Sequence, residues 1–168
     1  VWVTAMLFFQ SVLLLGYGYA HLSAKFLSRH LQFSVHATLL ASCFLVLPFG
    51  LSNAQTWTEH MHPALWQMSL MLSAIGLPFF TLASSAPLFQ HWFSKTTHKD
   101  ANSPYFLYAA SNTGSLGALL AYPFVIEPLM TLNVQTQAWT YLYPAFPCLT
   151  VLSIPLSYFS FKTELAET

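Results

Sequence analysis

Hydrophobic residues fill 55% of the 168 positions and charged residues only 6%, against roughly 25% charged in soluble domains. Mean hydropathy is +0.54. Five basic and five acidic residues cancel, which excludes the basic footprint of a nucleic-acid-binding protein. A chain so poor in charge cannot cover a water-facing surface. Its apolar segments, each near the ~20 residues that cross ~30 Å of hydrocarbon, predict an all-α integral membrane protein of five transmembrane helices. The 17% aromatic content fits, because Trp and Tyr favour the bilayer interfaces. Cys43 and Cys148 fall in apolar segments without metal or redox spacing, so no disulfide is expected.

The chain opens in an apolar run without methionine, and further residues are expected ahead of Val1. No basic residue precedes the first segment and no small-residue cleavage site follows it, so a signal peptide is a poor reading. That segment, residues 1–22, carries Gln10, Tyr17 and His21 seven and four residues apart, on one helical stripe. Such a stripe is costly against lipid and should face other helices or a wet cavity, as interhelical hydrogen bonding or as a ligand or proton path.

The second segment, 32–51, follows the short loop SAKFLSRH. Its Ser34, Thr38 and Ser42 lie four apart, a weakly polar packing edge, and His36 is expected at the interface. The next loop contains Glu59, His60 and His62. Its alternate spacing is a weak metal signal beside the plain reading of a polar loop flanked by Trp57 and Trp66. The third segment continues to Phe93, with the crossing helix expected at 64–84. Gly76-Leu77-Pro78 should kink it, and Ser84 to Pro87 should end it before a short interfacial helix.

Asn102 or Ser103 can cap the fourth helix, 104–122, with Pro104 in its first turn. Ala110, Gly114 and Ala118 form a small-residue face that permits close helix approach. Asn112 should bond to a neighbouring helix, Gln10 being one candidate partner. Pro123 should stop this helix, with a turn at Ile126-Glu127-Pro128, where Glu127 caps or pairs at the interface. After the loop NVQTQAW, a fifth helix, 138–161, is irregular because it holds Pro144, Pro147 and Pro155. A polar tail, 162–168, closes the chain. With five crossings Lys25, Arg29, Lys95, Lys99 and Lys162 all fall on one side. The positive-inside rule makes that side cytoplasmic, with Val1 outside and Thr168 inside.

Several stretches resemble the membrane region of the bacterial fused MFS-like/spermidine synthase-like proteins. They are LFFQ at Leu7–Gln10, GYGYAHL at Gly16–Leu22, GLPFF at Gly76–Phe80, SSAPLFQHWF at Ser84–Phe93, SPYFLYAASNTGSLGALLAYPFVIEP at Ser103–Pro128, and the Gln137 to Tyr143 neighbourhood. In that family a multi-helix membrane domain precedes a soluble aminopropyltransferase-like domain. The resemblance therefore implies a bacterial inner-membrane location and a synthase-like domain as a partner on the cytoplasmic side. The 168 residues hold neither a glycine-rich nucleotide fingerprint nor the acidic residues that would bind a polyamine, so aminopropyl transfer is not assigned to them.

Two functions follow as expectations. One is a transporter-like or membrane-anchoring module, with Gln10, Tyr17, His21, Asn112 and Glu127 as its intramembrane polar set. The other is an accessory structural subunit of a larger membrane complex. An intramembrane enzyme is weaker, because no HExxH or paired-Asp arrangement is present. No catalytic, cofactor or metal residue is assigned, and the expected partners are the lipid bilayer and other membrane helices or subunits.

Overall fold

The computed structural model describes residues 2–46, 62–96, 100–101, 103 and 105–150, and every regular element among them is helical. Helix α1 is Trp2–Phe26. Helix α2 is Arg29–Ser42, prolonged by a 3-10 turn, Cys43–Leu45. Helix α3 is Pro63–Phe93. Helix α4, residues 105–129, joins Tyr105–Ala121, a π-helical turn at Tyr122–Ile126 and Glu127–Leu129. Helix α5 is Leu132–Leu142, followed by a helical run at 145–150. By length and composition α1 and α3 are apolar enough to cross a membrane.

The helices overrun the segments read from hydropathy. Helix α1 ends at Phe26 rather than residue 22, and α2 begins at Arg29 rather than 32, so only Leu27 and Ser28 separate them. Helix α3 runs to Phe93 rather than 84. Helix α5 begins at Leu132, so the expected loop NVQTQAW is helical throughout, and a turn at Tyr143-Pro144 interrupts the fifth segment. Residues 47–61 and 151–168 lie outside the described residues, and with them the second segment's end, Glu59 and His60, the polar tail and Pro155. So do Asn102 and Pro104 of the expected cap.

The helix does not break at Ser84 to Pro87. Pro87 stands inside uninterrupted helix, and a π-helical turn at Leu72–Gly76 precedes Pro78. Proline removes one N–H and crowds the carbonyl four residues back. The carbonyl four back from Pro78 belongs to Ala74, inside the π turn, where the wider ring makes room. Hydroxyls add further bonds: Thr81 donates to the carbonyls of Leu77 and Pro78, and Ser84 and Ser85 both donate to that of Thr81. Pro123 is accommodated in the same way, inside the π turn of α4, so the helix continues to Leu129 instead of stopping. Extended backbone at Met130 ends it.

The chain forms two compact units, Val1–Leu88 and Phe89–Thr168. In the first, α1 and α3 advance in the same direction: Phe9 packs edge-on against Phe79 and Gly16 lies against Ala83. Helix α2 runs the opposite way, since His36 meets Ser85 and Cys43, further along, meets Thr81. The faces involved follow helical spacing. Phe8, Val12, Gly16, Ala20 and Ser23 are the buried residues of α1, and Phe33, His36, Leu40 and Cys43 line the buried side of α2 and its 3-10 turn. Ser34 and Thr38, expected as a packing edge, are exposed, and the Thr38 hydroxyl turns back to the Ser34 carbonyl.

The second unit is held by aromatic rings. Phe93 meets Phe106 edge-on at 5.2 Å, and Phe89 packs on Trp92 at 5.6 Å. Phe89, Trp92, Phe93, Leu107 and Phe146 surround a cavity of about 380 Å³.

Candidate functional site

The interior of the first unit mixes polar side chains with the apolar core of Phe8, Phe33, Leu40 and Leu88. Ser23, Gln32, His36, Thr81, Ser84 and Ser85 are buried, while Leu14, Leu15, Leu22, Phe26, Leu65 and Leu72 are more than half exposed. Unpaired polar groups are expensive in a low-dielectric interior, and Gln32, His36, Thr81, Ser84 and Ser85 each meet this with a side-chain hydrogen bond.

The bond between His36 and Ser85 joins α2 to α3. The Ser85 hydroxyl donates to the Thr81 carbonyl at 2.6 Å, so its proton is committed there. The 3.0 Å contact between His36 Nε2 and Ser85 Oγ must then have the imidazole as donor and the serine oxygen as acceptor. This assigns the Nε2–H tautomer to His36. One turn earlier on α3, the Thr81 hydroxyl is spent on the Leu77 and Pro78 carbonyls, and the Cys43 thiol lies 3.4 Å from its oxygen and 3.3 Å from the Leu39 carbonyl. The Tyr19 ring of α1 stacks on His36, their centroids 6.2 Å apart, and completes the enclosure.

The chemistry of this constellation is that of a clasp. A serine nucleophile needs a base that accepts its proton, whereas here the histidine donates and the serine proton points to a main-chain carbonyl. Cys43 is a buried free thiol. Among the described residues no group of three histidine, cysteine or carboxylate side chains is placed to hold a metal ion. His62, the described histidine of the possible metal loop, caps α3, its Nδ1 accepting from the Ala64 amide at 3.3 Å.

The polar set read from the sequence lies elsewhere. Gln10, Tyr17 and His21 do share one face of α1, but that face is exposed, and the opposite face packs on α3. Asn112 and Glu127 are also exposed, on α4. No described residue is hydrogen-bonded to the side chain of Gln10 or Asn112. The small-residue face of α4 is open: α4 buries no residue along Tyr105–Ala121, and a Cβ added at Gly114 or Gly117 would meet nothing within 4 Å. The close approach belongs instead to Gly16, where an added Cβ would lie 3.1 Å from the Ala83 Cβ and 3.2 Å from the Ser84 nitrogen. Sequence reasoning missed the His36–Ser85 pair, since partners 49 residues apart on different helices share no local pattern. The nearest available signal was the small-residue spacing Gly16, Ala20, Ser23 on α1.

A second feature flanks the clasp. Beside α1 runs an open groove of about 690 Å³, lined by leucine and phenylalanine side chains together with Gly18, Tyr19 and Ser23. The Ser23 hydroxyl lies beside that of Tyr19 without a well-formed hydrogen bond, and both buried hydroxyl oxygens lack any other partner among the described residues.

No protein-family model, curated protein or solved structure matches this chain.

Proposed function

We propose that the chain is a multi-pass membrane module whose role is anchoring, of the kind that precedes a synthase-like domain in the fused family it resembles. The observation that carries the reading is the exposure of large apolar side chains along the helices. Serine, threonine and histidine share the interior with apolar side chains, while Tyr105 at 75%, Leu119 at 70% and Phe124 at 75% stand exposed on α4. Exposed apolar surface of that extent is unfavourable in water and neutral against lipid tails. The opposed directions of α1, α2 and α3 agree with three successive crossings. Five crossings, with Lys25, Arg29 and Lys95 on the cytoplasmic side and Val1 outside, complete the proposed topology.

Anchoring is favoured over transport by the polar groups themselves. A polycation route needs several negative groups, but Glu127 is exposed and the buried polar residues described include no carboxylate. The accessory-subunit reading is kept by one observation, the uncovered length of α4, which offers a surface to a further membrane helix.

The test is extraction of membranes at alkaline pH together with reporter fusions. The chain stays in the pellet, a fluorescent reporter fused after Thr96 is active, and an alkaline phosphatase fused after Thr131 is active. Release into the supernatant refutes membrane insertion, and equal reporter behaviour at both positions refutes the topology. Labelled polyamine accumulating in vesicles that hold the purified chain would replace anchoring by transport.

A further inference from the structure

We propose that the groove beside α1 binds an anionic glycerophospholipid, its phosphate at Lys25 and one acyl chain lying along the helix. The inference rests on the membrane reading above and adds to it a specific lipid site. The groove's volume of about 690 Å³ lies within the range of built small-molecule sites. Its liners on α1 run from Leu14 to Phe26, about 18 Å of helix at 1.5 Å per residue.

The order of chemistry along that length selects the ligand. At one end the Lys25 ammonium sits 5.3 Å from the ring centroid of Phe26, itself a liner. Two residues further in stands Ser23 and four beyond it Tyr19, whose buried hydroxyls lack completed hydrogen bonds among the described residues. Ser23 is only 2% exposed, so its unsatisfied oxygen is an unusual cost. Leu22 lies between Ser23 and Tyr19, Phe80 of α3 packs on the Tyr19 ring, and beyond Tyr19 the α1 wall is hydrocarbon, from Leu15 and Leu14. Cation, hydroxyl donors and hydrocarbon follow the order of phosphate, ester carbonyl and acyl chain in a glycerophospholipid. A neutral helix from a second copy would leave both the cation and the hydroxyls unanswered. Basic groups beside membrane helices on the cytoplasmic side are suited to anionic headgroups.

Gly18 supplies the test. It lines the groove, and a Cβ placed there meets nothing within 4 Å, so a larger side chain fills the groove without touching the α1–α3 contact. The full chain is reconstituted in vesicles of phosphatidylglycerol and phosphatidylcholine in equal parts, re-extracted in mild detergent, and its retained lipids are counted by native mass spectrometry. The wild type keeps phosphatidylglycerol in preference. K25Q lowers that preference about fivefold, the factor one lysine supplies near an anionic surface. G18L loses both lipids, and S23A weakens retention of both. G114L, at an equally open glycine on α4, behaves as wild type. Protection of the Cys43 thiol from alkylation certifies that each variant is folded. Absence of preference in the wild type, or G18L retaining lipid as the wild type does, overturns the site while leaving membrane insertion standing. Release at alkaline pH overturns both.

Discussion

His36 and Ser85 stand 49 residues apart in the chain and 3.0 Å apart in space, the imidazole Nε2–H donating to a serine oxygen whose own proton is held by the Thr81 carbonyl. This relay is the main polar tie between α2 and α3. It carries polarity into the interior with the Ser85 hydroxyl fully used, donating to the Thr81 carbonyl and accepting from His36.

Breaking the relay should therefore show as coupling. Ser85→Ala is expected to lower stability by about 0.6–1.7 kcal/mol, the range for hydrogen bonds between membrane helices. His36→Ala should cost more, because it also opens a cavity under Tyr19. The double variant should lose less than the sum of the two, measured by thermal unfolding in detergent. Strict additivity would show that the two side chains do not interact.

Two glycines should respond in opposite directions. Gly16→Ala forces a methyl against the Ala83 Cβ and the Ser84 backbone and should destabilise by about 1–3 kcal/mol, as overpacking does. Gly114→Ala meets open space and should stabilise by up to about 1 kcal/mol through helix propensity. Equilibrium unfolding of the pair in one detergent checks both signs.

Asn112→Leu should change the stability of the isolated chain by less than about 0.5 kcal/mol, as exposed substitutions do. If a further membrane helix covers α4, the same substitution will reduce co-purification of that partner in mild detergent while leaving the unfolding midpoint in place. A large fall in the midpoint of the isolated chain would mean that Asn112 is bonded within it.

The two thiols should separate in a labelling experiment. Cys148 is exposed and Cys43 has no accessible surface, so a small membrane-permeant maleimide should modify one site under native conditions and both after denaturation. In a Cys148→Ser chain, labelling should track unfolding. Rapid native modification of Cys43 would contradict its placement between Leu39 and Thr81.

What the sequence made legible was the helical class of the described residues and the apolar length of α1 and α3, because hydropathy acts over whole segments. Helix ends were not, for a physical reason. Hydropathy marks where a bilayer would lie, whereas a helix propagates by local hydrogen bonds through good formers such as Ala24 and Lys25 and stops only where a bond fails. Prolines misled in the same way: Pro87 and Pro123 look like breaks when judged singly, yet serine and threonine hydroxyls and π turns absorb them. The stripe of Gln10, Tyr17 and His21 was found by its spacing, but spacing does not say which side faces inward. That choice is made by Gly16, the one α1 glycine with close neighbours.

The π turn at Leu72–Gly76 sets the angular phase of everything after it in α3. One residue more than an α turn would use rotates the downstream helix by about 100°, and it is in that phase that Thr81, Ser84, Ser85 and Leu88 are buried. Removing a single residue from the turn would leave composition and hydropathy almost unchanged, yet swing the hydroxyls away from His36 and Cys43. In this helix length is a coordinate as specific as side-chain identity, so insertions and deletions near Pro78 should be tolerated far less than substitutions there.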